Sequence, residues 1–161
     1  MSKQSALLSA TSSSLLLEVV DGALVIQHWG APIHGDLASV QTAIRPSIAN
    51  SSWDFPQFPG IMRESSRGFL GRPTLSGHRL GKAWSTKFEV TDFHHNKNVV
   101  TVTLRDLHAE LEVVINFDLD QYGVLTQKAI VKNLGSSDYY LNEFIHWLPL
   151  PKEATQTLDF A

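Results

Sequence analysis

An all-β antiparallel sandwich is predicted by three features of the chain. Short runs of β-branched and aromatic residues recur along it, each with two-residue alternation. Turn dipeptides separate them at short intervals. No stretch holds a 3.6-residue apolar period long enough for a packed helix. Together they specify strands joined by tight connections, the pattern of a β-sandwich.

The elements follow in order. Residues 1–12 read as a flexible lead-in: ALLSA is a broken apolar run, followed by a serine cluster. Residues 13–20 and 23–29 are rich in Leu, Val and Ile and flank Asp21-Gly22. Asp-Gly between such runs predicts a hairpin, because a type I′ turn needs positive φ at both central positions. Residues 30–82 hold five of the seven prolines (Pro32, Pro46, Pro56, Pro59 and Pro73) and read as a long irregular excursion. A second hairpin is predicted from 87–93 and 99–106, with HHNKN as its polar tip. In residues 109–120, Leu111, Val113, Ile115, Phe117 and Leu119 form one apolar face. Tyr122-Gly123 turns the chain into a strand over 124–133. After a turn at 134–137, residues 139–150 read as a last long β segment, closed by Pro149 and Pro151.

The totals exclude several classes. At 161 residues the chain is one domain's worth, and 43% hydrophobic with 18% charged residues describes an ordinary folded protein. A net charge of −3 leaves no basic excess for neutralising phosphates, so nucleic acid is not the expected partner. Without cysteine there are no disulfides and no thiolate zinc site. That composition fits a cytoplasmic protein with no membrane partner. No run approaches the roughly 20 apolar residues that a membrane span requires.

Residues 63–82, RESSRGFLGRPTLSGHRLGK, are the most informative stretch. Four arginines and four glycines share twenty positions, so no helix or central strand is expected to run through them. A long loop with such chemistry is more often functional than connective. Just before it, SSWDFPQFPG combines Trp53, Asp54, Phe55 and Phe58. Aromatic faces stack on sugar C–H faces, and Asp or Arg side chains fork onto vicinal hydroxyls. The same aromatics could equally pin a long loop to the sandwich surface. The remaining candidates are weaker. The carboxylate pairs Glu110/Glu112 and Asp118/Asp120 read as a solvated sheet face. His94 and His95, as neighbours, point to opposite faces and make a poor ligand pair. No nucleophile elbow or phosphate loop is present, and no cofactor or metal is called for.

The order of segments carries a resemblance. A hairpin ending in HWG, a proline-rich excursion, SSRGFLGRPTLSGHRLG, then AELEVVINFDLDQYGVLTQKAIVKNLG and LPLPKEATQTLDFA are similar to the N-terminal β-sandwich of family 36 glycoside hydrolases. These are the large bacterial α-galactosidases, and the raffinose-type enzymes look most alike. Residues 13–161 carry the likeness, most specifically the 67–81 loop and VKNLG at 131–135. The resemblance implies a galactose mutarotase-like supersandwich from a cytoplasmic homotetramer acting on melibiose and raffinose. It places the two catalytic aspartates of a retaining mechanism on a following (β/α)₈ barrel of about 250 residues. Asp159-Phe160-Ala161 therefore reads as a cut through a longer protein, and no catalytic residue is assigned. The domain's implied role is to support its own barrel and to lend loop residues to a neighbouring subunit's sugar site. Trp53, Asp54 and Arg67 match that role by position, although SSRGF stands where the family has a GDFR-like stretch. An alternative of another class is a free-standing carbohydrate-binding or assembly module.

Overall fold

The computed structural model describes residues 4–35 and 60–148. Among the described residues nine strands lie in chain order: β1 (Ser5–Ser9), β2 (Ser14–Val20), β3 (Ala23–Gly30), β4 (Leu75–His78), β5 (Glu89–Asn96), β6 (Val99–Asp106), β7 (Leu111–Leu119), β8 (Leu125–Asn133) and β9 (Tyr140–Phe144). The described residues contain no α-helix, only a single 3₁₀ turn at Ser65–Arg67. Among them no helix is long and apolar enough to cross a membrane.

Pairing among these nine strands is antiparallel and gives three sheets: β1-β2-β3, the ribbon β4-β9, and β5-β6-β7-β8. The β2–β3 turn forms as expected, with φ of 48° at Asp21 and 76° at Gly22. The alternation in β7 also holds. Leu111, Val113, Ile115, Phe117 and Leu119 are each no more than 1% exposed. They face one core with Val100, Val102 and Leu104 of β6 and with Leu15, Leu17 and Leu24 of the first sheet. Apolar side chains from two sheets thus share one interior, which defines the sandwich. Backbone and side-chain bonds tie the layers at their ends: Val90 N–H donates to Gly22 O at 2.8 Å, and Asn98 Nδ2 donates to Ser9 O at 2.8 Å.

Four expectations need correction. The first concerns residues 1–12, expected to be flexible, which contribute β1, paired along its length with β2. Ala6 and Leu8 fall on the core side and are 3% and 0% exposed, so burial orders this short run. Next, His94 and His95 belong to β5, and the turn falls at Lys97-Asn98 instead, with Lys97 at φ 53°. Of the expected carboxylate faces, only Glu112 and Asp118 lie on β7. Glu110 sits in the preceding turn at φ 52°, and Asp120 Oδ1 accepts the Tyr122 and Val124 N–H groups of the following one. Last, the expected long final segment is a five-residue strand, and its partner β4 lies inside the loop that looked irregular.

Candidate functional site

Loop and ribbon together form the candidate site. The chain enters it from the core: Ile61 and Met62 are each 4% exposed, and Ile61 N–H extends the first sheet by donating to Leu24 O at 2.8 Å. Thr74 then closes a neck. Its N–H donates to Arg63 O, its Oγ1 accepts Arg63 N–H and donates to Ile61 O, each at 2.9 Å. Residues 63–74 are therefore an Ω-type loop, pinched at its base and packed by its own side chains. Gly68 follows the 3₁₀ turn at φ 81°, a left-handed position that the glycine accommodates.

The loop's return strand, β4, pairs with β9. A bulge at Asn142 sets Tyr140 opposite His78 and Glu143 opposite Ser76, which places all four side chains on one face. On that face the His78 and Tyr140 rings lie 5.4 Å apart, and Arg72 grips Glu143 bidentately at 2.7 and 2.5 Å. Backbones approach closely on the other side. A Cβ on Gly77 would stand 2.6 Å from Tyr140 O. At the far end of β4, Arg79 donates to Ala109 O, Asn133 Oδ1 and Ser137 O and pairs with Glu110 at 3.7 Å. This one side chain fastens the ribbon to two turns of the large sheet.

The arginines of the loop divide into two kinds. Arg67 was the anchor expected from sequence. Its guanidinium donates to Glu64 Oε2 at 3.2 Å, Asp21 O at 3.1 Å and Phe88 O at 2.8 Å, and the side chain is 16% exposed. The structure thus gives Arg67 a holding role between both sheets, with two of its five N–H groups left over. Glu64, its partner, is 3% exposed and also accepts Phe88 N–H at 2.8 Å. Burial pushes the Glu64 carboxyl up to about 7, against the lowering pull of the Phe88 N–H and Arg67.

Arg63 is the other kind. Its guanidinium lies 4.1 Å from the Trp147 ring centroid and 5.3 Å from that of Phe69. It has no hydrogen-bond acceptor among the described residues. The indole Nε1 of Trp147 is withdrawn from solvent and likewise has no partner among the described residues. Stacking between rings fixes the guanidinium plane and leaves its edge donors available. Sequence reasoning did not single out Arg63, because its nearer ring partner, Trp147, lies more than eighty positions away along the chain. A usable signal did exist: Glu64 stands three residues before Arg67 and so claims that arginine for an internal pair. Trp53 and Asp54, the other two expected site residues, lie outside the described residues.

Carboxylates elsewhere are consumed by the fold. Glu112 is gripped by Arg105 at 2.7 Å and Lys132 at 2.9 Å, which hold its carboxyl below the usual range. Asp106 accepts the N–H groups of Lys87, His108 and Ala109.

Comparison with known proteins agrees with this architecture. Residues 22–161 match the family described as glycosyl hydrolase family 36 N-terminal domain. The chain is 29% identical over 157 residues to an alpha-galactosidase of Escherichia coli, covering 95% of this chain and 22% of that protein. It is similar in fold to a family 36 alpha-galactosidase of Geobacillus stearothermophilus in complex with 1-deoxygalactonojirimycin, with a TM-score of 0.71 and 14% identity over 89% of this chain and 24% of that one. A raffinose complex of that enzyme gives 0.70 and 13% over the same shares. The chain therefore spans about a quarter or less of the length of these relatives.

Proposed function

The chain belongs to glycosyl hydrolase family 36, as its N-terminal domain, and from that premise we propose that it is the non-catalytic sandwich of an α-galactosidase acting on terminal α-galactosides such as melibiose and raffinose. The family match over residues 22–161 carries this reading. The chemistry of the described residues agrees with it. Their buried carboxylates Glu64, Asp106 and Glu112 are bound to N–H donors and cations of the fold. None of the three is placed as a free nucleophile or acid facing a cleft.

In this reading the domain braces its barrel and, in a cytoplasmic homotetramer, offers loop residues to a neighbour's sugar site. Trp53 stacks on the sugar and Asp54 binds its hydroxyls. For the cationic contact, the unused edge donors of Arg63 favour that side of the loop. Arg67 serves the site by holding the loop in place. Oxygen-rich ligands suit such donors, because each hydroxyl can accept in the guanidinium plane.

The test is made in the enzyme that contains this domain. Arg63→Ala is expected to raise KM for a chromogenic α-galactoside far more than Glu112→Ala does. Equal effects of the two would remove the loop from the site. Galactose titration of the 161-residue chain, followed by tryptophan fluorescence, separates the alternative of a free-standing binding module. A domain holding part of a shared site binds weakly or not at all, whereas saturable tight binding would favour the module.

A further inference from the structure

The turn after β4 repeats the backbone geometry of the β2–β3 turn with an ill-suited residue. Arg79 and Lys82 exchange N–H···O bonds at 2.8 and 2.9 Å, so Leu80 and Gly81 form a two-residue turn with φ of 50° and 79°. Asp21 and Gly22 take 48° and 76°. A left-handed first position suits Asp, Asn or Gly and disfavours a branched apolar side chain. Leu80 holds it all the same and is 75% exposed. Ala83 is left-handed again at φ 54°, and Trp84 beside it is 70% exposed. Neither Leu80 nor Trp84 belongs to the core. Backbone strain with no return in packing marks a segment shaped for a contact outside the fold.

Two further apolar side chains stand at the same end of the sandwich. Leu107, 84% exposed, lies in the β6–β7 turn, and Leu134, 52% exposed, follows β8. Register places both at one end, since Asp106 pairs with Leu111 and Leu111 with Asn133. Arg79 gathers these turns. Its guanidinium bonds Ala109 O and Asn133 Oδ1 and lies 5.8 Å from the Tyr139 ring, whose hydroxyl donates to Ala83 O. Leu80, Trp84, Leu107 and Leu134 are thus each within two residues of a group on this one hub. Nearby carboxylates are already engaged: Glu110 pairs with Arg79 at 3.7 Å, and Asp106 accepts three backbone N–H groups. Lys82 and His108 add exposed polar side chains. An apolar centre with polar neighbours is the composition of a protein contact, and tryptophan is favoured at its anchor points.

We propose that this end of the sandwich seats the remainder of the domain's own polypeptide, through an apolar surface packed on Leu80, Trp84, Leu107 and Leu134. The inference rests on the chain being one domain of an α-galactosidase. Its length is about a quarter or less of that of such relatives, so the rest of the enzyme is a larger body joined to this one. A covalent joint keeps that body at high local concentration whatever the dilution. A second copy would cover the patch only above its dissociation constant. Side chains this exposed, on turns this constrained, call for cover in every molecule, and the joined body supplies it.

Hydroxyl-radical footprinting read by mass spectrometry tests this, comparing the 161-residue chain with the enzyme that contains it. Trp84 reports the patch. Tyr122, 75% exposed in the β7–β8 turn at the opposite end, is the control. Oxidation of Trp84 is expected to fall at least about fivefold in the enzyme, as suits passage from 70% exposure to the buried core of a contact. The fall should be the same at every enzyme concentration, with Tyr122 unchanged. Equal oxidation of Trp84 in chain and enzyme overturns the proposal, as does an equal loss at Tyr122. Protection that fades as the enzyme is diluted overturns it too, because the cover is then a second copy. So does protection that appears in the 161-residue chain as its concentration rises. Turnover of a chromogenic α-galactoside by the same enzyme sample keeps the two readings apart. An active enzyme whose Trp84 stays reactive sinks the docking face alone, whereas absence of turnover removes the α-galactosidase premise and the inference with it.

Discussion

Replacing Arg67 by alanine probes the loop's attachment most sharply. The guanidinium supplies three bonds to three segments from a side chain that is 16% exposed. Two of them satisfy backbone carbonyls: the part-buried bond to Phe88 O contributes roughly 1–1.5 kcal/mol net, and the exposed one to Asp21 O about half of that. The third, to Glu64, contributes less, because a Glu64 stripped of its cation takes up a proton rather than remain as a buried charge. The sum is a loss of about 2 kcal/mol, a sizeable part of the stability of a domain this size. Arg72→Ala is the control. Its bonds to Glu143 are shorter, at 2.5 and 2.7 Å, but Arg72 is 69% exposed, so their loss costs about 0–1 kcal/mol. Urea unfolding followed by circular dichroism should show the Arg67 variant's midpoint displaced by roughly 1 M, with Arg72→Ala close to wild type. If Arg72→Ala costs as much as Arg67→Ala, or if Arg67→Ala costs under about 1 kcal/mol, exposure is not what separates these arginines and the reasoning fails.

Three further outcomes are expected. Gly77→Ala should destabilise the domain by about 2–3 kcal/mol in chemical denaturation, since its Cβ meets the Tyr140 carbonyl at 2.6 Å and the Tyr139 ring at 2.5 Å. Arg63→Ala should leave the unfolding midpoint nearly unchanged, with a loss below about 1 kcal/mol, because its guanidinium holds a ring stack and no hydrogen bond of the fold. The Glu112 carboxyl lies below its ordinary value because Lys132 and Arg105 bond it. Its contribution is therefore present above pH 4.5 and lost as pH falls through the lowered value. The stability gap between wild type and Glu112→Gln should close on acidification, as read from unfolding curves at successive pH values.

Much of the sandwich was legible because its signals are local. The apolar alternation of β7 and the Asp21-Gly22 turn each lie within a few residues, and both formed as read. What escaped depends on distant partners. LSGH has nothing strand-like of its own, and it becomes β4 because β9 supplies the ladder from more than sixty positions away. The serine-rich β1 is ordered by the leucines of β2 and by the core that Ala6 and Leu8 enter. The loop's chemistry was visible in composition, yet the division of labour among its arginines was not. Arg67 is spent because the carbonyls of Asp21 and Phe88 converge on it, and Arg63 is spared because Trp147 returns from β9 to stack on it. Neither convergence is written in residues 63–82.

Turnover tests the proposed function most directly. The purified 161-residue chain is offered a chromogenic α-galactoside, and released chromophore is compared with a buffer control. No hydrolysis above the control is expected, since the proposed reading makes this sandwich a non-catalytic domain. Sustained turnover that follows the protein through purification would contradict the account, because it would place a catalytic pair within the sandwich itself.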